Sequence, residues 1–62
     1  MKYKCNIKNL KMRSLGTNKD YIIKTNETFL LVRHSRDKTI IKSGLQNYIL
    51  ERDMFSKWFE KV

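Results

Sequence analysis

The chain has 62 residues, 40% of them hydrophobic and 32% charged, which reads as one small basic domain over 1–62, not a disordered segment. A chain this short buries only about 60% of its unfolded surface, so it cannot build a core and also enclose a substrate pocket of about 300–1,000 Å³. There is no run of about 18 apolar residues to span a membrane, and Met1-Lys2-Tyr3-Lys4 lacks the apolar stretch of a signal peptide.

The formal charge is +8, and it is unevenly spread. The first nineteen residues hold Lys2, Lys4, Lys8, Lys11, Arg13 and Lys19 with no acid, whereas the remainder sets eight basic against six acidic side chains. Clustered positive charge raises both affinity and encounter rate for anions, so an anionic partner is expected on the N-terminal third. Ten lysines, five asparagines and six isoleucines also match the codon usage of AT-rich genomes. Codon bias explains many lysines, but it does not explain an acid-free first third.

Tyr3, Cys5 and Ile7 alternate with Lys2, Lys4, Asn6 and Lys8, the period of a strand with one buried face. Leu10 and Met12 continue on the opposite phase. Two explanations fit: a bulge near Asn9, or a short helical turn over 10–15 capped by Asn9 and closed by Gly16. Residues 16–20 read as a loop.

Segments 21–24, 28–34 and 38–42 read as strands of an antiparallel meander. Thr25-Asn26-Glu27-Thr28 supplies turn chemistry for the first connection, Asn26 being able to take a left-handed conformation, and Ser35-Arg36-Asp37-Lys38 supplies the second. Phe29-Leu30-Leu31-Val32 is apolar on both faces, as in a central strand. Ser43-Gly44-Leu45-Gln46 fits the capping box of a helix start, and Leu45, Tyr48, Ile49, Phe55, Trp58, Phe59 and Val62 recur at helical spacing, interrupted by Arg52. The favoured reading is a helix from about 44 to 61; the alternative makes 48–50 a strand and starts a shorter helix at Asp53. The expected fold is therefore α+β: a three- or four-stranded antiparallel β-meander with one C-terminal amphipathic helix packed across one face.

Catalytic chemistry is sparsely supplied. One histidine and one cysteine do not make a metal site of three or four ligands, and a nucleophilic pair would need Cys5 and His34 to meet beside a third, orienting group. Cys5 falls on the apolar side of its strand, and His34 stands where a strand enters a turn. Asp20 and Asp37 fall in turns, while Glu51, Asp53 and Glu60 lie among Arg52, Lys57 and Lys61. Neither Gly16 nor Gly44 belongs to a phosphate-cradling loop. No catalytic residue, metal or cofactor is expected. The aromatics Phe55, Trp58 and Phe59 are expected in the core, not as a base-stacking platform. With three basic and three acidic residues, the helix suits neither a membrane surface nor a major groove.

The charge therefore points to binding. Lys2, Lys4 and Lys8, spaced alternately on one strand, form a row able to follow phosphates, extended by Lys11, Arg13 and Lys19. Arg33, Arg36 and Lys38 form a second basic group. The expected function is a non-catalytic, cytoplasmic nucleic-acid-binding accessory or regulatory protein, acting on DNA or RNA and possible as a homodimer. The rival is a protein-binding inhibitor or adaptor of the phage or mobile-element type, docking on an acidic surface. A third reading gives the lysines only the task of guarding an edge strand against aggregation. Basic residues on one continuous strip would favour nucleic acid; lysines scattered around an exposed apolar patch would favour a protein.

Overall fold

The computed structural model describes residues 1–24 and 27–62. Among the described residues seven short strands make one antiparallel sheet: β1 (Lys2–Cys5), β2 (Lys11–Ser14), β3 (Asp20–Ile22), β4 (Thr28–His34), β5 (Lys38–Ser43), β6 (Gln46–Glu51) and β7 (Phe59–Lys61), with one helix, α1 (Arg52–Trp58), before β7. The strand order is β3-β2-β6-β5-β4-β1-β7. Laid flat, seven strands would measure about 29 Å across. The longest dimension of the molecule is 26 Å, so the sheet coils around its own core.

The α+β class and the antiparallel pairing stand, but the three- or four-stranded meander and the long helix do not. Residues 28–51 do run β4, β5, β6 as adjacent strands, and the turn at Ser35–Lys38 lies where the sequence places it, with the Ser35 N–H donating to the Lys38 carbonyl at 2.7 Å. β4 is a central strand, between β5 and β1. β3, however, does not join that meander: it pairs with β2 at the far edge. Thr25 and Asn26, where turn chemistry was expected, lie outside the described residues.

The helix over 44–61 is replaced by a hairpin, a strand, two turns of helix and a final strand. Ser43-Gly44-Leu45-Gln46 is not a capping box. Ser43 and Gln46 are cross-strand partners, and Gly44 and Leu45 form a two-residue hairpin loop. Gly44 has φ +61°, and only the first loop residue is positive, the type II′ pattern that matches strand twist. Leu45, expected on the buried stripe, is 95% exposed at the tip. Tyr48 and Leu50 alternate inward while Ile49 points out, a strand period that helical spacing mimics over so short a run. α1 has Glu51 at its N-cap without a side-chain cap bond. Arg52, the apparent flaw in the stripe, ties this junction down: its N–H donates to the Asp37 carbonyl at 2.9 Å and its Nη1 to the Ser35 carbonyl at 3.1 Å.

The phase slip at Asn9 is neither a bulge nor a helical turn. β1 ends at Cys5, and the chain bends over 6–9, with Asn9 at φ +63°, to reach β2 on the other half of the sheet. Leu10 and Met12 are buried from there. The loop expected over 16–20 ends one residue early, because Asp20 opens β3, and the strand expected over 21–24 ends at Ile22; Asn18 in that loop has φ +56° and its N–H on the Ser14 carbonyl at 2.9 Å.

The core lies on the inner face of the coiled sheet. Met12, Phe29, Ile41, Tyr48, Leu50 and Phe59 point in from the strands, Phe55 closes the space from α1, and Leu10 and Ile23 fill it from the connections. All three aromatics expected in the core are there: Phe55 and Phe59 are buried and Trp58 packs partly buried against them, although Phe59 belongs to β7. Their rings meet edge-on or offset, with Phe29 6.0 Å from both Tyr48 and Phe59, and Phe55 stacked on Phe59 at 5.0 Å. No helix among the described residues is long and apolar enough to cross a membrane.

Candidate functional site: the outer face of the sheet

Alternation in each strand sends the other set of side chains outward. Register aligns them in rows across the strands. One row runs Arg33 (β4), Ile40 (β5), Ile49 (β6), Arg13 (β2), then Asp20 (β3). Below it Lys2 (β1), Leu30 (β4), Lys42 (β5) and Asn47 (β6) are aligned. Lys38 faces Glu51 on the third row. A register shift between Leu31 and Arg33 carries Arg33 onto this face and sends His34 to the inner side.

Ion pairs neutralise three of the lysines. Lys4 lies 3.4 Å from Glu60, Lys11 lies 3.9 Å from Asp20, and Lys38 bonds Glu51. The hydrogen bond to Glu51 raises the Lys38 pKa. All six side chains are 40% exposed or more, so each pair is weak and is screened by salt. Lys4 and Lys11 of the acid-free first third thus acquire their counter-charges from β7 and β3 by strand pairing. Among the described residues, Lys2, Arg13, Arg33 and Lys42 on this face form no ion pair.

The nine basic residues expected to bind do not form one strip. Lys2 and Lys4 lie on β1, while Lys11 and Arg13 lie on β2, four strand spacings away, or about 19 Å along the sheet. Arg33 and Lys38 lie between them, on β4 and β5. Lys8 and Lys19 are exposed on connections at 6–9 and 15–19, and Arg36 is exposed in the β4–β5 turn. Edge protection does not explain the lysines of β1 either, because β1 has β4 and β7 on its two sides. The true edges, β3 and β7, have three residues each, and shortness is itself a guard against pairing.

Sequence reasoning missed Lys42, Ile40, Ile49 and Leu30. Leu30 is 45% exposed, and Ile40 and Ile49 are partly exposed, directly opposite each other at the centre of the face. The signal was present: Lys38, Ile40 and Lys42 alternate against buried Thr39 and Ile41. Ile49 was hidden by the helical reading. All seven aromatic residues, by contrast, belong to the core cluster on the inner side.

The remaining polar groups support the fold. The Cys5 thiol donates to the Ile7 carbonyl at 3.4 Å. His34 is exposed, its Nδ1 2.8 Å from the hydroxyl of fully buried Thr39 and its ring edge-on to Phe55. Glu27 accepts from both the Tyr21 hydroxyl, at 2.7 and 2.9 Å, and the Ser43 hydroxyl, at 3.3 Å. Burial, reinforced by Glu27, pushes the Tyr21 pKa up to about 12. A shallow cleft of about 300 Å³ on the β2–β6 side is lined by charges of both signs, Lys11, Arg13, Lys38, Asp20 and Glu51. Among the described residues no three His, Cys, Asp or Glu side chains cluster as metal ligands. Comparison with protein-family models, curated proteins and solved structures finds no match.

Proposed function

We propose that this chain is a non-catalytic binding module that docks on an acidic surface of a larger protein, as an inhibitor or adaptor, through the outer face of its sheet. One observation carries this reading: the face has an aliphatic centre, Ile40 and Ile49, bracketed by Arg13 and Arg33, while other lysines of the same face are neutralised internally. An apolar centre within a polar rim is the anatomy of a protein interface, where arginine is enriched.

Nucleic acid is the second reading, favoured by the net charge of +8 and by exposed Lys2, Lys8, Lys19 and Arg36. It is the weaker one. Phosphate binding gains nothing from isoleucine at the centre of the face, and no aromatic side chain stands there to stack on bases. Fluorescence anisotropy of labelled single- and double-stranded oligonucleotides separates the two. Weak binding at about 50 mM salt that vanishes by about 200 mM fits a merely basic protein. Micromolar binding retained at about 200 mM, and lost on reversing Lys2, Lys8 and Arg36, would reverse the assignment.

A further inference from the structure

We infer that the docking site is the cross-strand row Arg33–Ile40–Ile49–Arg13, and that its occupant is a protein segment presenting one carboxylate to each arginine with aliphatic side chains between them. This rests on the function proposed above and specifies where and what it binds. The four residues stand on adjacent strands β4, β5, β6 and β2, so the two guanidinium-bearing positions are three strand spacings apart, about 14 Å measured along the coiled sheet.

Several features select this occupant. Neither arginine forms an ion pair among the described residues, and Asp20, opposite Arg13 in register, has its carboxylate on Lys11. A planar guanidinium takes a carboxylate through two parallel hydrogen bonds, which fixes the position of an acid better than an ammonium does. The aliphatic pair between them is already mostly covered, so a small apolar contact removes the rest from water. Leu30 and Lys42 extend the patch on the next row with the same apolar-plus-cation chemistry. A second copy of this chain is disfavoured as the occupant, because it would set Arg13, Arg33 and Lys42 against the same cations. Strand addition is ruled out at this position as well. All four strands are interior, with their backbone groups committed to neighbours on both sides, so recognition is through side chains.

The test is selection of a random peptide library on the immobilised full-length chain at about 0.15 M salt, with the R13E/R33E double variant as counter-target. Enriched peptides should carry paired acidic residues flanking aliphatic ones. They should lose affinity about tenfold or more for Ile49→Ser, and likewise for Arg13→Glu and Arg33→Glu singly, while Lys8→Glu and Lys19→Glu bind as the parent does. The two arginines are exposed, so those variants carry the test if Ile49→Ser is unstable. Absence of enrichment over the counter-target overturns the inference, as do peptides without acids or equal binding to Ile49→Ser and the arginine variants. Acidic peptides indifferent to all these changes would leave the docking function standing and remove this site. No enrichment together with oligonucleotide binding at about 200 mM salt would remove both.

Discussion

The two faces of the sheet are built from the same strands, one residue out of phase, and they follow different rules. The inner face is aromatic and aliphatic, and its few polar groups are all partnered: Thr39 by His34, Ser14 by Gln46 at 3.3 Å, and Tyr21 by Glu27. Among the described residues no buried side-chain polar atom lacks a hydrogen bond. The outer face holds charges that are half exposed and an isoleucine pair that keeps some exposure. Stability is thus concentrated on one side. In a domain this small the inner face has little to spare.

Truncating the inner face should produce the largest effect. Phe29 is 1% exposed and touches both Tyr48 and Phe59, so Phe29→Ala should cost about 3–5 kcal/mol and leave most of the chain unfolded at room temperature by circular dichroism. Glu27→Ala should cost about 1–3 kcal/mol in urea titrations, because it strips the partner from the Tyr21 hydroxyl and from Ser43. Gly44→Ala should cost about 1 kcal/mol. A Cβ there meets nothing within 4 Å, so the penalty is the positive φ of +61° and not a clash. Outer-face changes should be the smallest: Lys38→Met breaks an exposed pair with Glu51, and its small loss of stability should shrink further at high salt. If Lys38→Met proves as damaging as Glu27→Ala, the division of labour between the faces is wrong.

Alkaline pH sharpens the same contrast. Tyr21 keeps its proton to about pH 12 when folded, against 10.0 ordinarily. A raised folded pKa means the unfolded chain ionises first, so this contribution is intact below pH 10 and is lost as pH climbs from 10 towards 12. Tyr48, whose pKa is also raised by burial, acts in the same direction. The urea midpoint should therefore hold to about pH 10 and fall beyond it, and Tyr21→Phe should flatten that fall while lowering the midpoint at neutral pH.

Legibility in the sequence followed the range of the contacts. The β4–β5 hairpin was readable because its turn chemistry and alternation are local, and so was the central position of β4, through apolar residues on both faces. The α+β class and the identity of Phe55, Trp58 and Phe59 as core residues were readable for the same reason. The hairpin at Ser43–Gln46 was misread because the same four residues satisfy two local signatures, a helix cap and a Gly-first loop. Only pairing of Lys38–Ser43 with Gln46–Glu51 decides between them. The basic strip failed for a different reason. Lys8, Lys11 and Arg13 follow Lys2 and Lys4 in the chain, but the bend at 6–9 moves β2 to the other half of the sheet.

Composition and two-residue alternation act locally, and they suffice for the antiparallel sheet, the aromatic core and the excess charge of +8. Tertiary structure alone decided that β1 is flanked by β7, that β3 closes the opposite edge beside β2, and which cations retain an acid. Those facts depend on strand pairing between residues as distant as Lys4 and Glu60, and no local preference encodes a partner that far along the chain.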